Sequence, residues 1–285
     1  VKYEFIDQHR NEHTVLKMCV VLGVSKSGFY EYKKRKNNSE TERKKHERLL
    51  REAIRVSFYE SKEVYGSPRV HADLVAQGFT VSIKTVANYM RDMGLQAKQP
   101  KRSRSTTQSN HHYKTYKNHI NQDFKVESPN EIWTTDITYI PTLEGFVFLN
   151  VIIDLYSRRV ISYRVDDHMK VNLTTEALQD AMNNRQPEPG LIHHSDRGSQ
   201  YCAHAYTEIL LNQEAIISMS RKGNPYDNAC AESFFGSMKT EMPTLIFGSK
   251  VDAIDEVHDY IVFYNRRRRH SALDYMTPEE YEWAN

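Results

Sequence analysis

The sequence predicts an α/β protein: a mixed sheet with helices on both faces, preceded by small all-α helix-turn-helix domains. Two observations predict it. From Ser128 onward three strand-like stretches follow one another, and helical and strand-like stretches then alternate, the order of a layered α/β domain. Before residue 98 the periodic stretches are all helical and come in pairs around short breaks. The 285 residues leave room for one large or two to three small domains. The texture divides them into a helix-turn-helix-like region at 1–45, a second helix-turn-helix at 46–98, a basic linker at 99–127, an α/β core at 128–243 and a helical extension at 244–285.

In the first region HTVLKMCVVLG puts Val15, Met18, Val21 and Leu22 on one helical face and stops at Gly23. VSKSGFYEYKKRK restarts with Ser25 or Ser27 as the N-cap and ends in a basic run. The second region repeats the pattern. In YGSPRVHADLVAQG, Ser67 is expected to cap, Pro68 to take the first helical position and Gly78 to end the helix. In FTVSIKTVANYMRDMGL, Ser82 caps an inner stripe of Ile83, Val86, Met90 and Met93. The outward Lys84, Thr85, Asn88 and Arg91 are donors of the kind that contact phosphates and base edges. From Ala97 to Asn118 there is no acid, and Lys101, Arg102 and Arg104 belong to a strap suited to a phosphate backbone.

The core opens with EIWTTDITYI, an alternating strand with Trp133, Thr135, Ile137 and Tyr139 on one face and Thr134, Asp136, Thr138 and Ile140 on the other. A turn at Pro141 to Gly145 leads to FVFLNVIID, apolar enough for burial on both faces, and RVISYRV is the third strand. LTTEALQDAMNNR (helix), LIHHSD (strand), AHAYTEILLNQ (helix) and AIISMS (strand) follow, and then a helix carrying Glu232. A helix capped by Ser249 runs into Arg266 to Arg269, and Thr277 to Glu280 caps the last one.

Composition narrows the function classes. The formal charge is +2, so the clustering of basic residues says more than their total. Cys19, Cys202 and Cys230 are odd in number and far apart, which argues for a reducing cytoplasm and against a disulfide framework or a zinc site. No apolar run approaches the ~18 residues of a membrane helix, and the first ten residues lack a signal-peptide core. The expected setting is the cytoplasm, on the nucleoid if the protein binds DNA.

Asp136 lies within a strand and Asp196 where a short apolar strand ends, the usual place for function in α/β sheets. If those strands are neighbours, the two carboxylates converge and a cation must relieve their repulsion. Glu232, Phe235 and Lys239 share one helical face. Asp154, Asp227 and Glu241 compete with Glu232 as the third carboxylate, and His193 and His194 read as polar neighbours or phosphate contacts. Oxygen ligands without cysteine or paired histidine imply Mg²⁺ or Mn²⁺, and three carboxylates can hold two ions roughly 3.5–4 Å apart for in-line phosphoryl transfer.

WTTDITYI, HSDRGSQY and NPYDNACAESFFGSMKTE, with YGSPR, IIDLYSRRV and YNRRRRHSALDYMTPEEY, resemble the DDE transposases of the insertion-sequence-three family, OrfB type. The resemblance runs along nearly the whole chain. It implies an RNase H-like catalytic core shared with retroviral integrases and carries the metal-binding, catalytic triad onto Asp136, Asp196 and Glu232. It implies Lys239 as a DNA contact beside the site, and Arg268 and His270 as further DNA contacts within an arginine run meeting phosphate. The activity implied is metal-dependent cleavage and strand transfer at element ends, on terminal inverted repeats and target DNA, by a homo-oligomer. A chain starting at Val1 fits the downstream half of a frameshift fusion, whose upstream partner would supply another helix-turn-helix. Two rival readings are a DNA-binding regulator with a dead RNase H-like domain, which should have lost a carboxylate, and a structure-specific nuclease, which would not join its ends.

Overall fold

The computed structural model describes residues 1–37, 42–98, 113–222 and 224–284, and the chain forms two compact units, Val1–Arg55 and Val56–Asn285. In the first unit α1 (Lys2–Gln8), α2 (Val15–Leu22) and α3 (Lys26–Asn37) surround a small core of Ile6, Met18, Cys19 and Phe29. Helix α1 was not expected, because seven residues are too few to display a helical period. The α2–α3 break forms as expected: Gly23 takes φ +61°, and Ser25 Oγ accepts the Gly28 amide at 3.0 Å. Val21 does not join the inner face. It is 77% exposed, and Cys19 is buried instead. Helix α4 (Glu42–Glu60) crosses the boundary between the units.

The second unit opens with α5 (Ser67–Ala76) and α6 (Ile83–Asp92). Helix α5 begins one residue earlier than expected, with Gly66 at the N-cap and Ser67 already helical. Helix α6 starts as expected, with Ser82 Oγ accepting the Thr85 amide at 3.2 Å. Val86 and Met90 are buried, but Ile83 in its first turn is 47% exposed. Lys84, Thr85, Asn88 and Arg91 lie along α6, with Lys84 and Arg91 exposed and Arg91 Nη2 donating to Asn88 Oδ1 at 2.8 Å.

The α/β core follows the expected order of elements. Strands β1 (Ile132–Thr142), β2 (Gly145–Asp154), β3 (Val160–Asp166), β4 (Ile192–Ser195) and β5 (Ile216–Met219) form one sheet in the order β3-β2-β1-β4-β5. The β1–β2 and β2–β3 pairs are antiparallel, and β1–β4 and β4–β5 are parallel. Strand β1 continues through Pro141, so the hairpin turn is tighter than expected and Gly145 takes φ +114°.

Helices α7 (Val171–Arg185) and α9 (His204–Asn212), with the short α8 (Ser199–Cys202) between them, cover the sheet face that carries Trp133, burying Ala177, Leu178, Tyr206 and Leu210 against it. Helix α10 (Ala229–Glu241) packs on β1, and α11 (Lys250–Arg266) packs on β1, β2 and β3. The hydroxyl of Thr134, on the face opposite Trp133, bonds Asn228 at the start of α10, which puts α10 on that opposite face. Ser249 caps α11, and Thr277 and Glu280 form a reciprocal capping box before α12 (Pro278–Ala284).

Candidate active site

Strand pairing brings the two aspartates together. In the parallel β1–β4 ladder Ile132 stands beside Ile192, Trp133 beside His193 and Thr134 beside His194. That register, continued by two residues, sets Asp136 beside Asp196, and residues level with one another in parallel strands point to the same face. Asp136 is half-buried, and its Oδ1 accepts the Ile137 amide at 2.8 Å. Asp196, just past the end of β4, accepts the Gly198 amide at 2.7 Å. A Cβ at position 198 would stand 2.9 Å from that same oxygen and would displace the Asp196 carboxylate.

Helix α10, packed on β1, carries Glu232. A 3₁₀ turn, Pro225–Asn228, leads into it, and Asn228 ties it down. The Asn228 side chain bonds the Thr134 hydroxyl and donates from Nδ2 to the Thr135 carbonyl at 3.2 Å. Glu232 lies one turn further along.

The electrostatics are those of crowded acids. Burial pushes the Asp136 carboxyl well above the usual carboxylate range, and the charges of Asp196 and Glu232 push it further, against the Ile137 amide and Lys239. Burial also raises Glu232. Lys239 Nζ sits 5.1 Å from the centre of the Tyr139 ring, and burial lowers its pKa while the Asp136 charge opposes the shift. Asp136 therefore senses Asp196, Glu232 and Lys239 together.

The rival acids are committed elsewhere. Asp154 is buried against Arg185 at 3.1 Å and accepts the Asn130 and Tyr156 amides. Asp227 clamps Arg221 at 2.8 Å and binds Gln122, bracing the loop before α10. Glu241 is buried against Arg268 at 2.7 Å and Tyr260 at 2.9 Å. Among the described residues, the trio that brings single ligand atoms within 4.8 Å of one another is Asp166, Asp167 and His168. It lies two strands from Asp136, where Lys250 already pairs with Asp167 at 3.1 Å.

His193 and His194 take the polar-neighbour role. His193 bonds the Tyr206 hydroxyl at 2.6 Å, and His194 lies between Ser218 at 2.8 Å and Ser220 at 3.1 Å. Burial lowers them to about 3 and about 4, so both are neutral.

Within the arginine run, Arg268 and His270 require a correction. Arg266 pairs with Glu279 at 3.3 Å, Arg267 with Glu60 at 3.1 Å, Arg268 with Glu241 and Arg269 with Asp73. Arg268 is buried, and His270, half-buried beside it, is pushed down to about 2 by burial and the neighbouring arginines. Arg268 thus builds the protein interior and does not face solvent as a phosphate contact, whereas Arg266 and Arg267 stay exposed in their ion pairs. Lys101, Arg102 and Arg104 lie outside the described residues. The sequence reading missed Asn228 and Asn150 as well. Asn150 Nδ2 reaches the Asp136 carbonyl at 3.2 Å and the Tyr201 hydroxyl at 2.9 Å. An amide in the middle of an otherwise apolar strand was the available signal for Asn150.

Residues 126–225 match the family described as Integrase core domain, residues 214–278 match a second family of that description, and residues 45–103 match HTH-like domain. The chain is 40% identical over 263 residues to the insertion element IS600 uncharacterized 31 kDa protein of Shigella sonnei, covering 92% of this chain and 96% of that one. It is 39% identical over 287 residues to transposase InsF for insertion sequence IS3A of Escherichia coli strain K12, covering 100% and 99%. Among solved structures it is similar to a simian T-cell lymphotropic virus intasome, with 14% identity, TM-score 0.47 and coverage of 81% and 73%. It is also similar to the HTLV-2 integrase catalytic core domain in complex with magnesium, with 17% identity, TM-score 0.43 and coverage of 54% and 97%.

Proposed function

The chain belongs to the insertion-sequence transposases of the IS3 type, and from that premise we propose that Asp136, Asp196 and Glu232 are the residues through which it cuts and joins DNA. The enzyme is a polynucleotidyl transferase that transposes its element by DNA strand cleavage and strand transfer. One observation supports the assignment: β1 and β4 run side by side in parallel toward Asp136 and Asp196, and the charges of Asp196 and Glu232 both act on the Asp136 carboxyl. Three carboxylates with no cysteine or paired histidine fit Mg²⁺ or Mn²⁺, two ions per site, and the crowding that raises Asp136 is what a cation relieves. When bound, such ions activate the attacking oxygen and stabilise the leaving one.

The protein's own part is to hold the three carboxylates in place and the DNA in line. Lys239, beside Asp136, is suited to a phosphate flanking the scissile bond. Attack by water on a phosphodiester at the element end leaves a 3′-hydroxyl. Attack by that hydroxyl on a second phosphodiester forms the new bond and expels another 3′-oxygen, and neither step needs a protein nucleophile. The outward donors of α6, Lys84, Thr85, Asn88 and Arg91, are assigned to the terminal repeats, with Lys101, Arg102 and Arg104 as a basic strap on the backbone. The assembly on DNA is read as a homo-oligomer, with an upstream helix-turn-helix fused by frameshift, acting on the nucleoid.

Labelled element ends incubated with the full chain in Mg²⁺ or in EDTA test this reading. Asp136→Asn, Asp196→Asn and Glu232→Gln should each abolish cleavage and joining while DNA binding persists. Lys239→Ala should weaken positioning of the DNA. Near-normal joining by any of the three carboxylate variants removes that residue from the site.

A further inference from the structure

Three of the quoted motifs take no part in the acidic site: YGSPR with Arg69, IIDLYSRRV with Arg158, and YNRRRRH with Arg268 and His270. They converge on one cluster. Tyr65 links the first and third, donating its phenol to the Arg267 carbonyl and accepting the Arg269 amide, each at 2.7 Å. The Arg69 guanidinium lies 5.9 Å from the centre of the Tyr65 ring. Arg268, between those two backbone contacts, reaches His270 Nε2 with Nη1 at 3.3 Å, which leaves the imidazole proton on Nδ1. The His270 ring packs edge-on against Tyr264 at 4.8 Å, and Tyr264 meets Phe234 of α10 at 4.7 Å. Arg158 reaches the same helix from the β2–β3 connection, its Nη1 2.7 Å from Cys230 Sγ. Its backbone is held at φ +61°, an uncommon conformation for a side chain with a Cβ.

The charges do not balance. Arg69, Arg158 and Arg268 all act on His270, yet the carboxylate among them is Glu241. Glu241 is already committed to the Arg268 guanidinium through both oxygens and to the Tyr260 hydroxyl. Among the described residues, neither Arg69 nor Arg158 has a carboxylate within 4.0 Å. Arg69 and Arg158 are both half-buried, and an aromatic ring and a thiol are poor substitutes for an anion. Guanidinium groups in this situation suit a tetrahedral oxyanion, which accepts their paired N–H donors.

We propose that Arg69 and Arg158, backed by the Arg268–Glu241 pair, form a binding site for one phosphate group. Given the function proposed above, on which this choice of source rests, the phosphate belongs to the DNA backbone. The site joins the helix-turn-helix segment, the sheet and the C-terminal segment on a single phosphate.

Two readouts on the full chain test it, with Arg69→Gln, Arg158→Gln and the charge-retaining Arg69→Lys. In thermal unfolding, inorganic phosphate replacing chloride at constant ionic strength should stabilise the wild type and Arg69→Lys more than either glutamine variant. In salt titrations of binding to element ends, each glutamine variant should lower the log–log slope by about 0.9, the loss of one phosphate contact. A changed thermal response with an unchanged slope also supports the site but assigns it to free phosphate. Folded glutamine variants that match the wild type in both readouts overturn the proposal. Because neither readout requires catalysis, failure here is distinguishable from failure of the acidic triad, which the Asp136→Asn joining assay reports.

Discussion

Asp136 is held at a cost. Burial and two neighbouring acids raise its carboxyl above the ordinary range, so the folded state binds a proton more readily than the unfolded chain does. Stability from this residue therefore falls as pH rises from the unfolded value toward the folded one, so at neutral pH the buried carboxyl costs the fold stability. In EDTA at pH 7, Asp136→Asn should raise Tm, at ~2–4 °C per kcal/mol relieved in a chain of this size, while abolishing strand transfer. A lower Tm would mean that Asp136 is structurally satisfied. His193 and His194 act differently. Both are neutral when folded, with values of about 3 and about 4, so the unfolded chain takes up protons first. Their contribution is complete above about pH 6.5 and is lost as pH falls toward 4, at up to ~1.4 kcal/mol per pH unit for each histidine. Denaturant melts of the wild type and His194→Gln across that window should show a shallower slope for the variant; parallel curves would contradict the assignment. The two aspartates were legible in the sequence because a carboxylate within or just beyond an apolar strand needs a reason to be there. Arg268 was not legible, since nothing in an arginine run reveals that Glu241, on another helix, will neutralise one member of it.

At the scale of elements, the important contact is α10 on β1. Asn228 bonds the Thr134 hydroxyl and the Thr135 carbonyl on either side of one peptide, and so ties the start of α10, one turn before Glu232, to β1. Asn228→Ala leaves a buried hydroxyl and a buried carbonyl without partners, a loss of about 1–3 kcal/mol. It should also weaken the rise in Tm produced by Mg²⁺, because Glu232 is no longer registered on β1. Unchanged unfolding and an unchanged Mg²⁺ response would show that the clamp is dispensable. The strands and most helices of the core could be read from period and caps: Ser82, Ser249 and the Thr277–Glu280 box all cap as their sequences indicate. The role of Asn228 was not legible, because the threonines that define it lie on a strand more than ninety positions away. Helix α1 and the shifted start of α5 show the same limit, short elements being decided by their neighbours.

At the scale of the molecule, the unit Val56–Asn285 ties its helix-turn-helix segment to its C-terminal segment through charge. Lys62 pairs with Glu256 at 2.7 Å, Arg267 with Glu60 at 3.1 Å, and Arg269 with Asp73. Arg267 and Arg269, two of the residues expected to meet phosphate, thus also hold protein to protein, and the α/β order read from the sequence does not contain that information. The same order left open whether β1 and β4 are neighbours, and the acidic site rests on that pairing. Anomalous diffraction from crystals of the full chain grown with Mn²⁺ tests it most directly. Metal peaks bounded by Asp136, Asp196 and Glu232 are the expected result, whereas Mn²⁺ bound only at Asp166, Asp167 and His168, with the triad bare, would contradict the account.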